Sequence, residues 1–290
     1  MRTPTRPDRS APVRPRTTAE AVHRLVSRLT PRDLRVMRLV WDHRVLTTDQ
    51  IARCEFSSYA TAKRRLPILY RLRALERFRP WTPVGTAPWH YILDAPGAEI
   101  LAAEHGQTAK ELGYRRDRLL AVAYRSSLAH TLGVNEFFVD LHSHTRTHDT
   151  HLTWRTARDC EALWGDIVRP DAAGRWTHAD TAVDFFLEYD RGTEPLRRLE
   201  AKLDGYHELA RLTGQQGVVL FYLPSRRREG NLHERVPRPP VPAATAVHGQ
   251  HPADSVWTPL GGSSPRRLAA LPGTSLPPEG GVRGWEAGDG

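Results

Sequence analysis

Arg169-Pro170-Asp171, followed ten residues on by Thr181-Ala182-Val183-Asp184-Phe185-Phe186-Leu187-Glu188-Tyr189-Asp190, is the stretch whose reading decides the fold. The second segment alternates as a strand does. Val183, Phe185 and Leu187 share one face, and Asp184, Phe186, Glu188 and Asp190 share the other. The first segment reads as a short strand, Ile167 to Asp171, with Ala172-Ala173-Gly174 as the turn between the two. If the strands pair, Asp171 meets Glu188 and Asp190 at a strand end. Such a set of carboxylate oxygens, with room for water and phosphate, is what Mg²⁺ takes.

The flanking chain builds an α/β core around this stretch. Thr193 and Pro195 open a helix whose Leu196, Leu199, Leu203, Tyr206 and Ala210 recur at steps of three and four. Val218 to Leu223 is an unbroken apolar run, the pattern of a strand buried on both faces. His151 to Arg155 reads as a further strand, and a helix runs from Ser126 or Ser127 to about His142. In that helix Leu128, Leu132 and Glu136 stand four apart. Glu136 either points to the acid cluster or rests exposed at the stripe's edge. Lys202 flanks the apolar stripe of the later helix. Its stem either runs along apolar surface and delivers the ammonium to the acids, or stays in solvent. His142, His144, His148 and His151 match no zinc spacing and read as solvated loop residues.

Upstream, Thr30-Pro31-Arg32-Asp33, Thr47-Thr48-Asp49-Gln50 and Ser57-Ser58 are successive helix-start signals. The third helix carries Lys63, Arg64, Arg65, Arg71 and Arg73 around Ala62, Leu66 and Leu69, and Pro67 predicts a kink or early break. Leu75 to Arg79 and Trp89 to Leu93 then flank a Pro/Gly/Thr stretch as a hairpin. Three short helices and a hairpin resemble a winged helix-turn-helix, in which the third helix enters the major groove of duplex DNA. A winged helix used for protein contacts or dimerisation is the competing reading.

The 290 residues suffice for two domains, read as 28–106 for the winged helix and 126–260 for the α/β domain, with 107–125 as connector. Residues 1–21, a basic Arg/Pro/Ser/Thr arm, and 261–290, a Pro/Gly/Ser-rich tail, read as disordered. Net charge is +9, from 42 Lys plus Arg against 33 Asp plus Glu, which favours a polyanionic partner. The two cysteines, Cys54 and Cys160, have neither disulfide-framework nor zinc spacing. No signal peptide or membrane span is legible, so a soluble cytoplasmic protein is expected.

Taken together, RPDA, FFLEYDRGTE, the helix HTLGVNEFFVDL and the helix with KLDGY resemble the replication-relaxation family of actinobacterial plasmids and integrative elements, over about Leu29 to Leu223. The resemblance implies a role in replication or DNA relaxation of a mobile element, beside a separate relaxase or replication protein. The same core is similar to the restriction-endonuclease-like PD-(D/E)xK fold. Carried over, Asp171 and Glu188 become Mg²⁺ ligands, Glu136 an upstream helix acid, and Lys202 stands in for the pattern's lysine, because Asp190 occupies the position two beyond Glu188. The expected fold is thus a winged helix-turn-helix followed by a nuclease-like α/β domain. The functional readings are a DNA-binding accessory protein, a Mg²⁺-dependent endonuclease, and a transcriptional regulator or adaptor, monomeric or homodimeric.

Overall fold

The computed structural model describes residues 16–82, 84–124 and 127–272. Helices form where the cap signals stand. In α2 (Pro31–Asp42) the Thr30 side chain accepts from the Asp33 N–H while Asp33 accepts from the Thr30 N–H, and Thr47 and Gln50 repeat this reciprocal cap at α3 (Thr48–Glu55). Ser58 caps α4 (Tyr59–Arg71). Of the kink or early break expected at Pro67, the break does not occur, and α4 runs on to Arg71. Ala62, Leu66 and Leu69 are fully buried on its inner face, and this packing holds the helix through the missing hydrogen bond.

Strands β1 (Leu46–Thr47), β2 (Leu75–Phe78) and β3 (His90–Leu93) pair antiparallel in the order β1-β3-β2. Before them lies α1 (Ala19–Val26), which packs on α5 (Ala95–Ala103). Thus residues 19–21, expected in the disordered arm, are helical: Thr18 caps them and Leu25 is buried. The rest of the expected tails, 1–15 and 273–290, lies outside the described residues.

After α6 (Arg116–Tyr124), α7 (Leu128–Thr145) leads into a six-stranded sheet of order β4-β5-β6-β7-β8-β9. Its strands are β4 (Thr150–Thr156), β5 (Ala172–His178), β6 (Thr181–Tyr189), β7 (Val218–Leu223), β8 (Ala243–Val247) and β9 (Thr258–Pro259). β4 through β6 run antiparallel, β6-β7-β8 parallel, and β9 antiparallel to β8. α9 (Leu196–Thr213) and α10 (Arg226–Arg235) make the crossovers that parallel pairing requires. α8 (Ala157–Trp164) lies between β4 and β5.

The expected strand Ile167–Asp171 with an Ala-Ala-Gly turn is corrected. Ala172 to Gly174 begin β5 itself, and Asp171 stands just before it. The reason is close packing: a Cβ on Gly174 would meet Thr153 O at 2.6 Å and the Phe185 ring at 2.8 Å. Small residues here let β5 lie between β4 and an aromatic neighbour. The actual turn is Ala179-Asp180, with Ala179 at φ 48°.

The alternation of β6 holds. Val183, Phe185 and Leu187 face a core shared with Val134, Phe137 and Leu141 of α7, while Phe186 packs with Leu199, Leu203 and Tyr206 of α9. The first of these cores is continuous with the interior of the N-terminal helices, running from Leu25 to Leu271. Residues 261–272, expected in the tail, take part in it. Leu268 in a 3-10 turn (Leu268–Ala270) is fully buried, and Trp257 and Arg266 exchange backbone hydrogen bonds.

Candidate functional site

Register sets the site. Ala172 pairs with Leu187, so Asp171 and Glu188 are neighbours where β5 begins and β6 nears its end. Asp171 is fixed three ways: its N–H donates to Leu187 O at 3.0 Å, its Oδ2 accepts from Tyr189 N–H at 2.8 Å, and its Oδ1 lies 2.9 Å from His130 Nε2 on α7. Glu188, on the α9 side of β6, is 2% exposed. Its Oε1 accepts from the Tyr206 hydroxyl at 2.5 Å, and its Oε2 pairs with Lys202 Nζ. Lys202 and Tyr206 are four apart on α9 and therefore reach the same carboxylate.

Burial pushes the Glu188 carboxyl above its usual range; Lys202 opposes this and Asp171 adds to it. Burial works to lower the Lys202 ammonium, but the Glu188 and Asp171 charges outweigh it and raise it. The hydrogen bond to Asp171 raises His130, and Tyr206 is held neutral by burial beside Glu188. The site is thus a buried acid against a lysine, next to a second acid against an imidazole. They line a cavity of about 300 Å³ together with Asp190 and Thr193.

Glu136 does not join them, and Asp190, though it lines the cavity, is paired elsewhere. Asp190 is 8% exposed, forms an ion pair with Arg228 of α10, and accepts from Gly192 N–H at 3.0 Å. It therefore anchors the strand end to α10 and is not a free acid. Glu136 turns to the other side of α7, where Gln50 Nε2 donates to it at 2.9 Å and Arg53 pairs with it. The expected stripe Leu128, Leu132, Glu136 is the flank toward α3. The sheet-facing stripe is Val134, Phe137 and Leu141.

Mg²⁺ through Asp171, Glu188 and Glu136 is accordingly reduced to two carboxylates. Among the described residues no group of three or more His, Cys, Asp or Glu is arranged to hold a metal ion. Each oxygen of Asp171 and Glu188 accepts one hydrogen bond and keeps lone-pair capacity. Asp171 and Glu188 are therefore the two carboxylates of the cleft that could contribute to holding a cation.

The third-helix cations divide likewise. Lys63, Arg64 and Arg71 are exposed on α4. Arg65 instead bonds buried Asp33 and the Arg28 carbonyl, and Arg73 bonds buried Asp94, so these two serve the fold. Arg77 and Arg79 of the hairpin stack on Trp89 at 4.0 and 4.1 Å, and Arg77 also on Tyr70 at 4.5 Å. Sequence reasoning missed His130, the hydroxyl role of Tyr206, and Arg228. His130 had a signal: it stands four before Val134 and seven before Phe137, on the sheet-facing stripe. His142, expected in a solvated loop, is 4% exposed against Phe138.

The chain is a mixed α+β protein in which one core joins the N-terminal helices, α7 and the sheet, and a second lies under α9 beside the acid-lysine cleft. It belongs to the replication-relaxation family, whose model matches residues 37–219, a span that includes α4 and all of Asp171, Glu188 and Lys202. No curated protein and no solved structure matches the chain. Among the described residues no helix is long and apolar enough to cross a membrane.

Proposed function

We propose that the chain is a DNA-binding protein acting in replication or DNA relaxation, with α2, α3, α4 and the β2–β3 hairpin as a winged helix-turn-helix on duplex DNA. One observation carries this. Of the five cations at α4, the two that face inward are consumed by Asp33 and Asp94, while Lys63, Arg64 and Arg71 stand exposed in a row suited to phosphates. A separate relaxase or replication protein is the natural partner. The test is fluorescence anisotropy with a duplex: K63A/R64A/R71A should weaken binding and reduce the salt slope by about 1 per lost phosphate contact. Unchanged binding by a folded triple variant would make this surface a protein-docking face.

A second reading, a Mg²⁺-dependent DNA nuclease, is favoured by Asp171, Glu188 and Lys202 lining one cleft. Asp171 and Glu188 would hold the ion, which would polarise a phosphodiester and its attacking water. Lys202 would offset charge developing on phosphate oxygens. Nicking of supercoiled plasmid that needs Mg²⁺ and is lost in D171A supports it. Intact plasmid after long incubation with Mg²⁺ or Mn²⁺ leaves the cleft a binding site.

A further inference from the structure

A second cavity adjoins the acid-lysine cleft. It measures about 200 Å³, and His130 and Asp171 line both. It is also lined by Arg44, two residues beyond the end of α2, by Arg158, from the first turn of α8, and by the Asp42 carboxylate. Both guanidiniums lie over the indole of Trp41, at 4.9 and 5.4 Å. Among the described residues neither forms an ion pair with a carboxylate. Asp159, the acid nearest in sequence to Arg158, is committed to the Thr156 N–H at 3.0 Å and the Thr156 hydroxyl at 2.7 Å.

The backbone adds an independent observation. Arg44 follows the C-cap His43 with φ 67°, the left-handed position that glycine fills most easily. A side chain there costs about 1 kcal/mol. Strained backbone of this kind clusters at ligand clamps and active sites. Burial, and next the Arg158 charge, push the Arg44 guanidinium down to about 10, with Asp42 and Asp159 opposing. An anion between the two arginines offsets the repulsion between them. At about 30 Å³ per water the cavity holds a handful of waters, the room of a phosphate group with its hydration.

We propose that Arg44 and Arg158 form a phosphate subsite, which takes a backbone phosphate of a nucleic acid strand while the next part of the strand faces Asp171, Glu188 and Lys202. This rests on the reading that the cleft is presented to DNA. Two guanidinium forks suit phosphate oxygens, and Trp41 holds both planes in place. His130 and Asp171, bonded to each other, line both cavities and so link the subsite to the cleft.

The probe is a 5′-phosphorylated thymidine dinucleotide, titrated calorimetrically into the full chain at low salt. Wild type should bind, and R158A should bind about tenfold more weakly, the loss of one charge-assisted contact. R158K should recover part of the loss. Arg158 is exposed, so R158A should leave the melting temperature unchanged. R44K keeps the charge where removal would disturb Trp41, and it too should weaken binding. Absence of binding by wild type, or equal binding by wild type, R158A and R44K, overturns the subsite. Duplex binding that is lost in K63A/R64A/R71A while the dinucleotide fails sinks this inference alone. Dinucleotide binding lost in R158A, with duplex binding indifferent to the α4 changes, sinks the helix-reading proposal alone.

Discussion

At the scale of single residues, the Glu188–Lys202 pair makes opposite demands on stability. Glu188 is nearly inaccessible, so a carboxylate there depends on Lys202 and the Tyr206 hydroxyl. Lys202→Met should destabilise the chain by about 2 kcal/mol, below the usual 3–5 for a broken buried pair because the lysine itself is one-third exposed. Adding Glu188→Gln should restore most of that loss, since a neutral amide no longer needs the cation; urea melts of the four proteins check it. His130 gives a pH test. Its folded value is raised above 6.5 by Asp171, so the stability it contributes is full below pH 6.5 and fades as pH rises through the raised value. In an NMR titration His130 should titrate above 6.5 in wild type and at a lower pH in Asp171→Asn. An unchanged midpoint would show that the pair is not formed in solution. His43 and His142 have the reverse sign. Burial lowers both to about 4, so what they contribute is present above 6.5 and lost on acidification.

At the scale of elements, α7 and β6 meet at one close approach. A Cβ on Gly133 would lie 2.1 Å from the ring of Tyr189, the residue whose backbone N–H holds Asp171. Gly133→Ala, which in an exposed helix gains about 1 kcal/mol, should here cost about 2 kcal/mol and disturb the cleft. Gly230→Ala in α10, where nothing lies within 4 Å, should show the ordinary gain in the same denaturant melts. Comparable effects at both positions would mean that Tyr189 yields without cost. The elements also show what local sequence carries. Reciprocal caps at Thr30 and Thr47 and the alternation of β6 were legible because they are set by neighbours a few residues apart. The start of β5 was not, because Ala172 to Gly174 are small for the sake of Thr153 and Phe185, partners distant in sequence. α8 was overlooked although Thr156 and Asp159 form the same reciprocal cap. Glu136 was assigned to the wrong side because a four-residue spacing names a flank of a helix without naming what packs there.

At the scale of the whole molecule, the expected division into two domains meets a core that crosses it. Buried side chains of the N-terminal helices, α7, the sheet and Leu268 are contiguous, so the chain should unfold in one transition. Removing residues 262–290 should cost about 3 kcal/mol or more, since it exposes the sites of Leu268 and Leu271. Calorimetry decides between one transition and two, and a truncated chain as stable as the full one would refute the role given to Leu268. α7 bears on the same point from within. One side of it takes Gln50 and Arg53 through Glu136 and Asp140, and the other lays His130 on Asp171. Since a single helix is bolted to both, the distance and angle between α3 and the cleft are fixed by the fold and not by a tether. If the proposed winged helix reads duplex DNA, α7 becomes a ruler: whatever the cleft does, it would do at a constant number of base pairs, and on a constant side of the helix, from the bound site.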